Sequence, residues 1–286
     1  MVRFIAGWGL VWLLAETACA GPIGTYYLTD LSNNTTGLST LDAIRGNAYV
    51  QNPALYQEQE GPIAILGEDI RTTGYYVGYR GGEYIPAPSL FVYEEPPGQD
   101  PSGEPGHWIN GILPMGVSGY AYDGTTDGFA NYTVDFFTGA VIATDTFWGG
   151  DPQILFSTGG SGNLGITFDY NNHSLWIQNF YDGSITDYNL DGTVITTILT
   201  AGPNTFGYTA LAMDLDHTLW FEAYGSGLLY HYGVDGGFLD TQLYVGLGLA
   251  LGGEIAIPTP AGLTQWSIGL ALGALGLICR RVSAHR

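Results

Sequence analysis

Residues 164–199, LGITFDYNNHSLWIQNFYDGSITDYNLDGTVITTIL, and residues 210–239, ALAMDLDHTLWFEAYGSGLLYHYGVDGGFL, are two copies of one unit. Leu175-Trp176 recurs as Leu219-Trp220, Gly183 as Gly227, Tyr188 as Tyr232 and Asp191-Gly192 as Asp235-Gly236, each at a spacing of 44. Asp169 recurs as Asp214 at 45, so the turn that follows has lost one residue. Runs of β-branched and aromatic residues, punctuated by Asx and Gly, read as four short strands per unit. One such twisted sheet leaves both faces apolar, and only stacking on neighbours shields them. Four strands repeated at about 40–45 residues is the pattern of a β-propeller blade.

Working outward, residues 118–158 read as the preceding unit. Tyr120-Ala121-Tyr122-Asp123 aligns with Ile166-Thr167-Phe168-Asp169, and strands follow at Phe129–Phe136, Ala140–Phe147 and Gln153–Ser157. An earlier unit has strands at Pro62–Leu66, Ile70–Val77, Ser89–Tyr93 and Trp108–Leu113, interrupted by EEPPGQDPSGEPG at Glu94–Gly106, a candidate binding loop. The first unit offers only three strands: Gly24–Asp30, Gly37–Ile44 and Asn47–Gln51. The apolar hexapeptide Gly252–Ile257 supplies the missing innermost strand and closes the ring without free edges. The expected fold is all-β: five four-stranded blades closed by strand 252–257, or six if residues 80–117 hide another.

The chain of 286 residues carries 7 Lys+Arg against 27 Asp+Glu, a net charge of −20, and contains no lysine. Within residues 21–257 only Arg45, Arg71 and Arg80 are basic, and every acid but Glu16 falls there, giving 3 − 26 = −23. Such a surface repels nucleic acid and anionic headgroups. Cys19 and Cys279 both lie in the terminal segments, so the domain between them has no disulfide or thiolate chemistry.

The two ends give an address. Arg3, the apolar run Phe4–Ala15 and the small residues Ala18 and Ala20 have the layout of a secretory signal peptide over 1–20, with cleavage before Gly21. At the other end Pro258-Thr259-Pro260 precedes an apolar run of 19 residues, 261–279, followed by Arg280-Arg281. A run of that length suits a short membrane helix, and the arginines favour a cytoplasmic C-terminus.

That tail, residues 258–286, resembles the PEP-CTERM sorting signal of Gram-negative bacteria, with Thr259 in the place of the central glutamate. The resemblance implies transient membrane anchoring, recognition by an exosortase-like membrane enzyme, and release to the cell surface or extracellular matrix. The repeat units are also similar to streptogramin-lyase and NHL-type propeller blades found in exported proteins.

Chemistry is sparse between the ends. His107, His173, His217 and His231 are the only histidines there, with His173 and His217 in the same turn of consecutive units. No His-x-x-x-His pair, G-x-S-x-G elbow or P-loop occurs. Asp123–Gly128, Asp169–Asn171 and Asp214–Asp216 contain parts of a calcium loop but lack its full ligand alternation, which suggests aspartates bracing turns. The Gly159–Gly162 run has no strand-to-helix context for a phosphate cradle, and Arg71 and Arg80 suit structural ion pairs or a carboxylate clamp. No catalytic, metal or cofactor residues are therefore assigned, with calcium the one candidate ion.

The expectation is an exported, non-enzymatic propeller that binds glycan, such as an extracellular polysaccharide, or protein. Exposed Tyr and Trp at the ring faces would suit sugar stacking. The alternative is an enzyme resembling streptogramin lyase or the lactonases, with acids and histidines converging at one channel mouth. A purely structural matrix component is a third possibility.

Overall fold

The structure, a computed structural model, describes residues 21–31, 40–51, 60–67, 69–74, 83–86, 91–94, 115, 117–149, 152–200 and 207–256. Among them, twenty strands form five four-stranded antiparallel sheets. Blade one contains β1 (Thr25–Asp30), β2 (Thr40–Arg45) and β3 (Ala48–Val50), and blade two β4 (Glu60–Leu66), β5 (Asp69–Gly74), β6 (Glu83–Pro86) and β7 (Phe91–Glu94). Blade three is β8 (Ala121–Thr126), β9 (Asn131–Asp135), β10 (Ala140–Thr144) and β11 (Gln153–Ser157). Blade four is β12 (Asn163–Asp169), β13 (Ser174–Asn179), β14 (Ser184–Asn189) and β15 (Val194–Leu199). Blade five is β16 (Tyr208–Met213), β17 (Thr218–Ala223), β18 (Leu228–Gly233) and β19 (Phe238–Leu243).

The last strand, β20 (Ala250–Ala256), returns to blade one and pairs antiparallel with β1, from Thr25↔Ala256 to Asp30↔Ala250. It is that blade's innermost strand, in the sheet order β20-β1-β2-β3. The inner strands β4, β8, β12, β16 and β20 touch in cyclic order, so the sheets close into a ring. The fold is a five-bladed β-propeller, shut by the C-terminal strand as the sequence implied.

Large side chains fill the wedges between blades. Trp176 packs with Leu211, Met213 and Phe221 between blades four and five; Trp220 packs with Tyr26, Leu28 and Ala250 between blades five and one. Both are 1% exposed. Between blades two and three the space is taken by Trp148, whose ring lies over Gly124 and whose indole N–H donates to Arg71 O at 3.2 Å. A Cβ on Gly124 would lie 2.5 Å from that ring, so only glycine fits beneath it.

Two sequence expectations are corrected in detail. The third and fourth strands of blade two are Glu83–Pro86 and Phe91–Glu94, where Ser89–Tyr93 and Trp108–Leu113 were expected. Pro86 is tolerated in this strand because it lies beyond the last pairing with β5, Ile70↔Tyr84, where its missing N–H costs nothing on that side. Secondly, Asp127, not Asp123, is the counterpart of Asp169. Asp127 Oδ1 receives the N–H groups of Phe129 and Ala130, as Asp169 Oδ1 receives those of Asn171 and Asn172. The signal peptide, the sorting tail, Arg80, His107, residues 108–113 and the Glu95–Gly106 part of the expected binding loop lie outside the described residues.

Candidate functional site

The centre of the ring is built from an irregularity repeated five times. Each inner strand carries a β-bulge against its neighbour: between Glu60 and Ile63, Ala121 and Gly124, Asn163 and Gly165, Thr209 and Ala212, and opposite Thr29–Asp30. A bulge leaves N–H groups out of the ladder, and these must find acceptors elsewhere. Asp123, fully buried at the bulge of β8, supplies them. Its Oδ1 accepts from Gly124 N at 2.8 Å and Gly253 N at 2.8 Å; its Oδ2 accepts from Ile166 N and Leu211 N, each at 3.0 Å. One carboxylate thus ties β8, β12, β16 and β20 together.

Hydroxyls continue the stitching. Thr125 Oγ1 accepts from Phe168 N and Thr167 Oγ1 from Met213 N, both at 3.0 Å. Thr29 Oγ1 accepts from Gly252 N at 2.9 Å and donates to Gly61 O at 2.8 Å. The Tyr26 hydroxyl donates to Ala210 O, joining blades one and five.

Two glutamates share this interior. Glu254 receives the Thr167 hydroxyl at 3.2 Å, and burial pushes its pKa up to about 8. Glu222 accepts from Gly227 N at 2.9 Å and Ala250 N at 3.0 Å, and burial likewise pushes it up to about 8. For Asp123, burial raises the pKa well above the ordinary carboxylate value, the N–H donors of Gly253, Ile166 and Gly124 oppose that rise, and Glu254 adds to it. All four of its hydrogen-bond partners are donors, so the geometry is that of an acceptor-only carboxylate.

The remaining candidate acids are also committed to the frame. Asp214 binds Ile23 N at 2.7 Å and Gly24 N at 2.9 Å, anchoring the incoming chain, and accepts the Trp220 indole at 3.2 Å. Asp169 accepts the His217 ring at 2.8 Å. Burial raises its pKa, but His217, Asn171 N and the Trp176 indole together outweigh that and hold it below the ordinary value. His173 and His217 do occupy the same turn of consecutive blades, at φ 54° and 63°, in the left-handed region. His231 lies on Trp220 with ring centroids 4.0 Å apart and bonds Thr218 at 2.7 Å. Among the described residues, no group of three or more His, Cys, Asp or Glu is placed to hold a metal ion. Arg71 is no free clamp: it donates to Thr146 O at 2.8 Å, pairs with Asp69 at 3.3 Å and sits 4.0 Å over the Phe147 ring.

One outward-facing feature is a row of aromatic rings. Phe136 and Phe180 recur at the turn after the second strand of blades three and four, and Tyr224 takes the same place in blade five. Phe136 meets Phe180 at 6.1 Å and Phe180 meets Tyr224 at 5.3 Å, both edge-to-face. Phe137 and Tyr181 follow them in sequence and stand 52% and 67% exposed, with Tyr224 at 40%. Tyr120 extends the arc through Phe137 at 5.2 Å.

The arc is held from below. Buried Asp135 bonds Ser118 N, Gly119 N and Thr138 N at 2.8–2.9 Å, fastening the start of β8 to the Phe136–Phe137 turn. One blade on, Asn179 accepts from Tyr181 N at 2.9 Å and donates to Ser161 O at 3.1 Å. Gly162, at the end of the Gly159–Gly162 run, has φ 90° and lies under Tyr181; a Cβ there would be 2.3 Å from that ring. Gly207 lies in the same way under Phe180. The sequence reading missed the arc, although the 44-residue spacing that gave the blades also carries Phe136, Phe180 and Tyr224.

No family model matches the chain, and no curated protein matches it. Solved structures do. A protein of unknown function from Bacteroides caccae is 13% identical with a TM-score of 0.51, over 82% of this chain and 100% of that one. A chain of a nidogen/laminin complex is 12% identical with a TM-score of 0.50, over 83% and 100%. Streptogramin B lyase matches more loosely, 16% identical with a TM-score of 0.44, over 76% and 66%. The likeness is one of fold alone. At such identities it carries no reaction or ligand to this propeller.

Proposed function

We propose that this propeller is an exported, non-enzymatic binding protein, sorted through its C-terminal tail to the cell surface or extracellular matrix. The observation that carries the binding role is the contrast between the axis and one face. The acids on which an enzyme reading depends are engaged by the frame: Asp123 by four backbone N–H groups, Asp214 by the incoming chain, Asp169 by a turn and by His217, and Glu254 by the Thr167 hydroxyl and Ile255 N. The exposed aromatic arc of blades three to five is not used in this way.

Support for export comes from both ends of the sequence and from the seat of Gly21. A Cβ on Gly21 would lie 2.0 Å from Gly46 O and 2.4 Å from Tyr244 Oη, so the ring grips the chain at the residue that cleavage after Ala20 would expose. Pro258-Thr259-Pro260, the apolar run 261–279 and Arg280-Arg281 provide the anchoring and processing signal for an exosortase-like enzyme.

Fractionation of a Gram-negative host that carries an exosortase tests the proposal. The wild-type protein should reach the surface or medium, and Pro258→Ala with Pro260→Ala should hold it in the membrane. Wild-type protein retained in the cytoplasm would end the export reading. A hydrolase or lyase activity that depends on Asp123 or Glu254, with folding intact, would end the binding reading.

A further inference from the structure

We infer that the aromatic arc is a subsite for a neutral polysaccharide, an inference that rests on the binding role proposed above. Three exposed rings, Phe137, Tyr181 and Tyr224, stand at the same turn of three consecutive blades. Phe136 and Phe180, half-buried behind them, link the row by edge-to-face contacts of 5.1 Å to Phe137, 5.5 Å to Tyr181 and 5.3 Å to Tyr224. An edge-to-face contact takes up one face of one ring in each pair, and the exposed area of Phe137, Tyr181 and Tyr224 is what is left for a ligand.

The rings are fixed before any ligand arrives. Asp135 and Asn179 lock the turns that bear Phe137 and Tyr181, and Gly162 and Gly207 let the rings lie against backbone. Preorganised aromatic surface loses little entropy on binding.

Three features select the class of ligand. A saturated sugar ring offers C–H groups to an aromatic face and hydroxyls to its rim, and here the rim has exposed Asp182 and Ser226. The charge of the domain, with no lysine in the chain and Arg71 already engaged, disfavours sulfated or uronic polymers. A globular partner needs roughly 800 Å² per side around a packed apolar centre. A row of three rings broken by polar turns fits a slender chain instead.

The test is affinity electrophoresis and calorimetry of the mature protein against neutral glucan, galactan and mannan, with carboxymethylated glucan alongside. At least one neutral polymer should retard the wild type, and the carboxymethylated one should not. Phe137→Ala and Tyr181→Ala should each weaken binding about tenfold, in the range of hot-spot truncations, and the pair should abolish it. Tyr181→Trp should retain it, and a cooperative urea transition shows that each variant folds. Polysaccharide or protein binding that survives loss of both rings overturns this inference and leaves the binding role standing. A wild type that binds no polymer and no surface component of its host overturns the binding role itself.

Discussion

Replacing Asp123 with asparagine probes the axis most sharply, because the substitution keeps size and shape and changes only charge and hydrogen-bonding capacity. The carboxylate takes four N–H bonds of 2.8–3.0 Å from four different inner strands. An amide has one acceptor oxygen, so two of the four donors lose their partner and face an NH2 group. Each buried group left unsatisfied costs about 1–3 kcal/mol. The variant should therefore be less stable by roughly 2–6 kcal/mol, a large part of the ~5–15 kcal/mol typical of a domain. Urea unfolding followed by fluorescence suits the measurement, since Trp148, Trp176 and Trp220 are all fully buried. Asp191→Asn, at an exposed turn, serves as the control. Burial raises the pKa of Asp123, and a carboxyl carried neutral would be mimicked well by asparagine. A loss below about 1 kcal/mol would show that burial wins and that the four-donor argument is wrong.

The pH dependence of stability has a definite sign. Glu254 has its pKa raised from 4.5 to about 8 in the folded protein, so it adds no penalty below pH 4.5 and progressively destabilises the fold as pH rises towards 8. At full ionisation this amounts to about 3–5 kcal/mol. Glu254→Gln should match the wild type at pH 4 and exceed it at pH 9; parallel melting curves across that range would contradict the assignment. Trp220→Ala should cost about 3–5 kcal/mol by opening the wedge between blades five and one, against well under 1 kcal/mol for an exposed substitution such as Phe129→Ala, as read from urea midpoints. Truncation after Leu249 removes β20, leaving β1 and the neighbouring wedges bare; a monomeric, cooperatively melting product would contradict closure by that strand.

The fold was legible because its repeat is written in side chains that stacking demands. Trp176 and Trp220, the Asx-Gly turns and the unpaired apolar hexapeptide at 252–257 were enough to infer blades and the shared closing sheet. Blade two was less legible, since Pro86 and Gly81-Gly82 look like a break when the pairing partner is unknown. The role of Asp123 was hidden for a different reason. A bulge shifts a residue from one face of a strand to the other, and nothing in the local sequence marks where it falls. Asp123 lies at such a bulge and meets N–H groups 43, 88 and 130 residues away, which no periodicity reveals. The aromatic arc was within reach: Phe136, Phe180 and Tyr224 share the spacing of the tryptophans. What the residues could not give was exposure. A repeated aromatic is as consistent with a wedge between blades as with a binding face, and only the 52%, 67% and 40% exposures of Phe137, Tyr181 and Tyr224 separate the two.

One comparison bears most directly on the division between interior acids that build and surface rings that bind. Wild type, Glu254→Gln and the triple variant Phe137→Ala, Tyr181→Ala, Tyr224→Ala should be titrated side by side with the neutral polysaccharide that the wild type retains. The expected result is equal affinity for wild type and Glu254→Gln, with no measurable binding by the triple variant while it keeps a cooperative urea transition. Binding lost on changing Glu254 and kept without the three rings would contradict it.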